Sequence, residues 1–298
     1  MISLFRRRPP HRAEISTRRR VRELEIVTAR LIRQGFAGQY HAAFHGRGIE
    51  FAQVREYLPG DDIRIIDWNV TARTGVPHVK QFVEERDLTI LLAIDLSGSM
   101  GFGSIDRRKS DLAAELTAVL SFAANQNGDR IGLVTFDEAI RSYLPPKRGS
   151  RHVERIVRQV LLDSEKPARA ADFVRATRFI QRVTAKRAVI IAISDFLDGA
   201  APAALETLRA RHDLVALALG DPRERRLPRG GLVDLVDSES GRRVRVDLSA
   251  ARAEGEGVAA GSLEALRRRR IDAVSLSTAE PYERALIRFF DSRVRRRR

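Results

Sequence analysis

Two rhythms of apolar residues divide this chain. Between residues 13 and 35, Ile15, Leu24, Val27, Leu31 and Ile32 recur at roughly helical spacing, and Gly35 and Gly38 are expected to end that helix. Residues 39–86 break the pattern. They are rich in Gly, Pro, Asp and aromatic residues, with short extended pieces at 48–54 and 76–83, and read as an irregular or small β element. A second rhythm starts at Leu88. Continuous apolar runs at 88–94, 131–136, 188–193, 214–219 and 271–276 read as strands buried on both faces, with 139–144 as an edge strand. Helices are expected near 107–127, 150–163, 172–184, 201–211 and 249–270, and a hairpin at 232–237 and 243–247 around a Ser-Glu-Ser-Gly turn. Strand alternating with helix predicts an α/β fold with a doubly wound, mostly parallel sheet. The expected organisation is a disordered basic tail (1–12), a helix with a β/loop region (13–86), an α/β domain (87–292) and a basic tail (293–298).

In such sheets ligands bind outside the carboxyl ends of strands, at a topological switch point. Two strand ends carry suitable chemistry. The first run is followed by Asp95-Leu96-Ser97-Gly98-Ser99, and the run at 188–193 by Ser194-Asp195. Carboxylates and hydroxyls are hard oxygen donors, suited to Mg²⁺, Mn²⁺ or Ca²⁺ and not to zinc. Gly98 leaves the loop free to turn so that both hydroxyls converge. Asp95, Ser97 and Ser99 equally suit the cap of the following helix, and Asp195 a strand-end turn. His41 and His45 are four apart but lack the Glu of a zinc-protease helix, and read as a surface pair. The glycine-rich stretch at 98–103 lacks the lysine of a P-loop and the spacing of a dinucleotide loop.

Asp-x-Ser-x-Ser after the first buried strand resembles the metal-ion-dependent adhesion site of von Willebrand A domains. That resemblance implies that Ser97 and Ser99 bind a divalent ion directly, that Asp95 and Asp195 complete the site, and that a partner carboxylate fills the last position. It also implies a threonine in the loop before Asp172, where this chain has Ala170 and Ala171; the nearest threonine, Thr177, falls inside the expected helix. A second stretch, Arg55-Glu56-Tyr57-Leu58-Pro59-Gly60-Asp61-Asp62-Ile63-Arg64-Ile65-Ile66-Asp67-Trp68, then Thr71-Ala72-Arg73, resembles the signature of a bacterial family catalogued as domain of unknown function 58. In that family the signature precedes a von Willebrand A-like domain, and the resemblance covers about residues 20–240. It implies a MoxR-type AAA+ ATPase as partner, and a chaperone-like role in maturing or remodelling a client protein. Physically, the signature offers a Pro-Gly turn and three arginines facing three aspartates around the single tryptophan. Two readings stand: Arg55, Tyr57, Gly60, Asp61, Asp62, Arg64, Asp67, Trp68 and Arg73 form a network stapling 39–86 to the α/β domain, or they form a docking surface.

Composition changes this picture little. The chain has 298 residues, 43% hydrophobic and 31% charged, with no cysteine, which excludes disulfides and thiolate metal sites. The net charge is +15, carried mostly by arginine, with lysine at positions 80, 109, 147, 166 and 186 alone. That charge attracts acidic partners, nucleic acid and anionic membranes, but no nucleic-acid-binding motif accompanies it. The basic ends read as solvated tails. No apolar run approaches the ~20 residues of a membrane span, and the N-terminus lacks a signal-peptide core, so a cytoplasmic protein is expected. The function expected is a non-enzymatic binding module. The alternatives are a metal-dependent phosphohydrolase, which lacks a histidine beside the motif and a second metal cluster, and a basic protein bound to nucleic acid or membrane.

Overall fold

The computed structural model describes residues 10–44, 49–84, 88–104, 106–166, 168–225, 231–236, 243–247 and 258–297. The first described elements are helix α1 (Pro10–Leu31), a π-helical turn (Ile32–Phe36) and helix α2 (Ala37–Phe44). Gly35 was expected to end the first helix. Instead it bends it: with φ at 96° the backbone turns sharply, at no cost to a residue without a Cβ, and helix resumes. The bend aims Phe36, Tyr40 and Phe44 into the core. Strand β1 (Ile49–Glu56) then pairs antiparallel with β2 (His78–Glu84). Between them lie a 3₁₀ turn (Ile63–Ile65) and helix α3 (Trp68–Thr74), where the sequence pattern predicts an irregular or small β element.

The α/β domain runs β3 (Thr89–Asp95), α4 (Lys109–Gln126), β4 (Arg130–Phe136), β5 (Ile140–Lys147), α5 (Ser150–Ser164), α6 (Phe173–Val183), β6 (Val189–Ser194), α7 (Ala201–Arg209), β7 (Asp213–Gly220) and the short α8 (Pro222–Arg225). A separate antiparallel pair follows, β8 (Leu232–Val236) and β9 (Arg243–Asp247), then α9 (Val258–Arg268), β10 (Asp272–Ser277) and α10 (Tyr282–Arg297). The six-stranded sheet has the order β10-β7-β6-β3-β4-β5, all parallel except β5. This is the doubly wound, mostly parallel architecture expected of a von Willebrand A-like domain.

Alternate residues of each strand feed opposite faces. Ile90, Leu92 and Ile94 of β3 join Ile191, Ile193, Leu217 and Leu219 under α4, α5, α10 and the N-terminal helices. Leu91 and Ala93 join Val134, Ile190, Ala192 and Ala216 under α6, α7 and α9. Burial on both faces is why these strands read as unbroken apolar runs. From β3 the chain goes to β4 on one side and later to β6 on the other. The switch point is therefore the crevice at the carboxyl ends of β3 and β6.

The expected basic tail at 293–298 is corrected. Residues to Arg297 continue α10, and Arg293 is almost fully buried, bonded to both carboxylate oxygens of Asp213 (2.8 Å each) and to Asp272 (2.6 Å). Arg6–Arg8 and Arg298 lie outside the described residues. Among the described residues no helix is long and apolar enough to cross a membrane.

Candidate metal centre

Parallel pairing of β3 with β6, with Ile94 beside Ile193, sets their last residues side by side at the switch point. Asp95, Ser97, Ser194 and Asp195 are all buried there. Asp95 is held on both oxygens: one accepts the Ser97 N–H (2.8 Å), the other the Ser194 hydroxyl (2.6 Å). The loop is pinned on three sides. Leu96 N–H donates to Phe136 O at 2.8 Å, Gly98 N–H to Arg169 O at 3.0 Å, and Met100 plugs into the core. Gly98 lies inside a 3₁₀ turn (Gly98–Gly101), which orients the two hydroxyls; Ser97 Oγ and Ser99 Oγ stand 3.2 Å apart. Further along, a Cβ on Gly103 would come within 2.5 Å of Arg107 O, so only glycine lets the loop close onto the start of α4.

Electrostatically the cluster is unbalanced. Burial, and then the charge of Asp195, push the Asp95 carboxyl up to about 7, against the hydrogen bonds from Ser194 and Ser97. Asp195 has a partner that sequence reasoning missed. Lys109, the first residue of α4 and 0% exposed, places Nζ 2.6 Å from Asp195 Oδ2 and also bonds Glu224 of α8. A second group was missed at the end of β7. Asp221 accepts the Ser104 N–H (2.9 Å), the Ser104 hydroxyl and the Thr278 hydroxyl (2.7 Å), and its own N–H donates to Glu224 Oε2 (2.9 Å). Burial raises the Asp221 carboxyl, but these bonds outweigh it and hold it below the usual range. The signal for both was topological: Lys109 opens the helix after β3, and Asp221 and Glu224 follow β7, all on the same rim.

The residues fit a hard cation. Adjacent ligands of a Mg²⁺ octahedron with bonds of ~2.0–2.1 Å stand about 3 Å apart, close to the spacing of the two serine hydroxyls. The buried pair Asp95 and Asp195 carries more negative charge than Lys109 offsets once Glu224 is counted. Among the described residues no three His, Cys, Asp or Glu side chains form a ready metal cage; half of this donor set is hydroxyl. The missing threonine stays missing. Ala171 gives no donor, Thr177 is buried in α6 with its hydroxyl on Val174 O, and the 168–172 loop brings only the Arg169 carbonyl, already bonded to Gly98. Asp172 caps α6. His41 is exposed on α2, and His45 lies outside the described residues.

The signature splits. Arg55 grips Asp61 through two bonds of 2.7 Å, and this holds the Asp61 carboxyl down at about 2. Asp62 and Asp67 cap the 3₁₀ turn and α3. Gly60 has φ at 110°, as the turn requires. Tyr57 N–H donates to Pro77 O at 2.8 Å, closing the module on itself. The expected network around tryptophan is corrected: Trp68 is 69% exposed, and Arg64 and Arg73 are exposed too. Trp68, Leu58, Ile63 and Val76 are all large apolar side chains turned to solvent on this one module.

Fold and rim together define a doubly wound α/β domain, von Willebrand A-like in layout, with a hydroxyl–carboxylate cluster at its switch point. The chain belongs to the family described as protein of unknown function DUF58, which matches residues 53–262. It is 34% identical over 225 residues to the uncharacterized protein Rv1480 of Mycobacterium tuberculosis, spanning 74% of this chain and 70% of that one. It is 25% identical over 111 residues to the uncharacterized protein YeaD of Bacillus subtilis, 37% of this chain and 26% of that one. Among solved structures, the conserved hypothetical protein BatB from Bacteroides thetaiotaomicron is similar at a TM-score of 0.46 and 14% identity, covering 70% of this chain and 99% of that one. The VWA domain of SpRpn10 is similar at a TM-score of 0.38 and 12% identity, covering 69% and 94%.

Proposed function

We propose that this chain is a non-enzymatic, cytoplasmic binding module that engages a carboxylate on a protein partner through a divalent ion, Mg²⁺ or else Mn²⁺ or Ca²⁺. Asp95, Ser97, Ser99 and Asp195 hold the ion, and waters and the partner complete its shell. The observation that carries this reading is the buried Asp95–Asp195 pair beside two convergent hydroxyls at the switch point. When bound, the ion supplies charge balance for that pair and an open coordination position. The family resemblance supports a MoxR-type AAA+ ATPase as co-worker and a client protein as target. The solvent-facing apolar group around Trp68 supports a contact surface on the signature module. The phosphohydrolase alternative gains nothing from the two histidines of the α/β domain. His152 bonds Ile131 O and His212 precedes β7, both at the amino ends of the strands, opposite the cluster.

The test is capture of partners from the native host with and without chelator. Capture is expected to need the divalent ion and to fall about tenfold or more in Asp95→Ala or Ser97→Ala, a loss of roughly 1.4 kcal/mol or more. Equal capture in excess chelator overturns the reading.

A further inference from the structure

Lys109 is in an unfavourable place for a lysine. It opens α4, where the helix dipole repels cations, and it is wholly buried, where an unpaired ammonium is strongly disfavoured. Two carboxylates hold it there: Asp195, itself 2% exposed, and Glu224, whose side chain is 22% exposed. Asp195 is also one of the proposed ion ligands. An ion bound at Asp195 and the ammonium bonded to the same carboxylate repel each other, so the two cations compete.

We infer that Lys109 is a tethered counter-cation of the centre: it neutralises Asp195 when no ion is bound, and shifts onto Glu224 when a divalent ion takes Asp195. This rests on the metal reading above and adds its regulation. Glu224 is placed for the receiving role. Its Oε1 already bonds Lys109, while Oε2 is fixed by the Asp221 N–H at 2.9 Å. The ammonium therefore keeps a charged partner in both states. Asp221 is in turn tied to Ser104 in the loop after β3 and to Thr278 after β10, so the receiving carboxylate stands on a braced rim. The arrangement makes the resting domain foldable without metal, and sets ion affinity by the difference between two ion pairs.

The experiment titrates the full chain with Mn²⁺ by calorimetry, alongside thermal melts with and without Mn²⁺. Lys109→Met is expected to tighten Mn²⁺ binding roughly tenfold or more, since a like charge at contact distance is removed. Glu224→Gln is expected to weaken it, because the ammonium then has Asp195 alone. In the Lys109→Met background the same Glu224→Gln change should have little effect, a non-additivity that marks action through the lysine. Ser97→Ala added to Lys109→Met should abolish the gain, placing the ion at this cluster. If Lys109→Met folds only with Mn²⁺ present, its melt should gain more from the ion than the wild type's does. Mn²⁺ binding to the wild type unchanged by Lys109→Met, or additive effects of the two substitutions, overturns this inference alone and leaves Lys109 a structural staple. Mn²⁺ binding to none of the proteins overturns the metal reading as well.

Discussion

His212, just ahead of β7, is buried, and neither ring nitrogen finds a hydrogen-bond partner among the described residues. Burial, and then the charges of Arg211 and Arg187, lower its pKa from 6.5. His152 is lowered too, by burial and the charges of Lys147 and Arg155. A depressed histidine lets the unfolded chain take the proton first. The stability these two histidines contribute is therefore full above about 6.5 and is lost as pH falls below it towards their folded-state values. The raised Asp95 carboxyl takes up its proton in the same window and works in the opposite sense, so the test is a difference: between about pH 7 and 5 the His212→Leu variant is expected to lose less melting temperature, or gain more, than the wild type. Identical slopes would remove the assignment. The residues clustered at the switch point were legible one by one, because Asp95, Ser97, Ser99 and Asp195 sit directly after strands whose apolar runs are unmistakable. Lys109 and Glu224 were not. Their partners are 86 and 115 residues from the lysine, and nothing local distinguishes a buried lysine from a solvated one at a helix start. Trp68 failed in the opposite direction. Its surrounding Arg and Asp residues suggested a network, yet the aspartates are spent locally, on Arg55 and on helix caps.

At the scale of elements, strands were easier to read than helices. The four inner strands β3, β4, β6 and β7 are apolar through most of their length, with burial on both faces enforcing the composition, while the edge strands β5 and β10 are only partly buried. The unforeseen helices lack that stamp. α3 is short and exposed, made by the Asp67 cap and ended by Gly75 in the left-handed region. α10 is masked by its charge: its arginines hide the apolar positions Leu286, Phe289 and Phe290. One of those arginines is structural. Arg293 fastens α10 to Asp213 at the start of β7 and to Asp272 at the start of β10, and lies over the Phe44 ring with 5.2 Å to its centroid. It thus ties the C-terminal helix to two strands and to α2 at once. Removing one partner of a fully buried pair costs about 3–5 kcal/mol. Asp213 and Asp272 keep 16% and 32% side-chain exposure, so water partly compensates them. Arg293→Met is expected to destabilise the fold by roughly 2–3 kcal/mol in a guanidinium melt. Arg295→Met, nearby on the same helix but without such bonds, should cost under about 0.5 kcal/mol. Equal effects of the two would show that the basic residues of α10 act only as a charged surface.

At the scale of the whole molecule, the family match at 53–262 covers the signature and the candidate centre but stops short of β10 and α10, and starts after α1 and α2. The core does not respect those limits. α4 buries residues on all sides, among them Leu112, Ala113, Leu116, Val119, Leu120 and Ala123, because the sheet covers one flank while α1, α2 and α5 cover the rest. Around it, Phe36, Tyr40 and Phe44 from the N-terminal helices meet Phe290 of α10, with centroids 5.7, 6.4 and 5.3 Å apart. Deleting β10 would also turn β7, a parallel strand apolar from Leu214 to Leu219, into an open edge, which natural sheets avoid. Asp221 would lose Thr278, and with it a brace of the rim that carries Glu224. Helices α1, α2 and α10 and strand β10 are therefore part of the domain that carries the candidate centre. A chain limited to 53–262 is expected to aggregate, or to bind a hydrophobic dye and melt without a cooperative transition, while 10–297 melts sharply. A monomeric 53–262 fragment with a sharp melt close to that of the longer chain would show that the helices at both ends are accessories, and that the sheet closes its core without them.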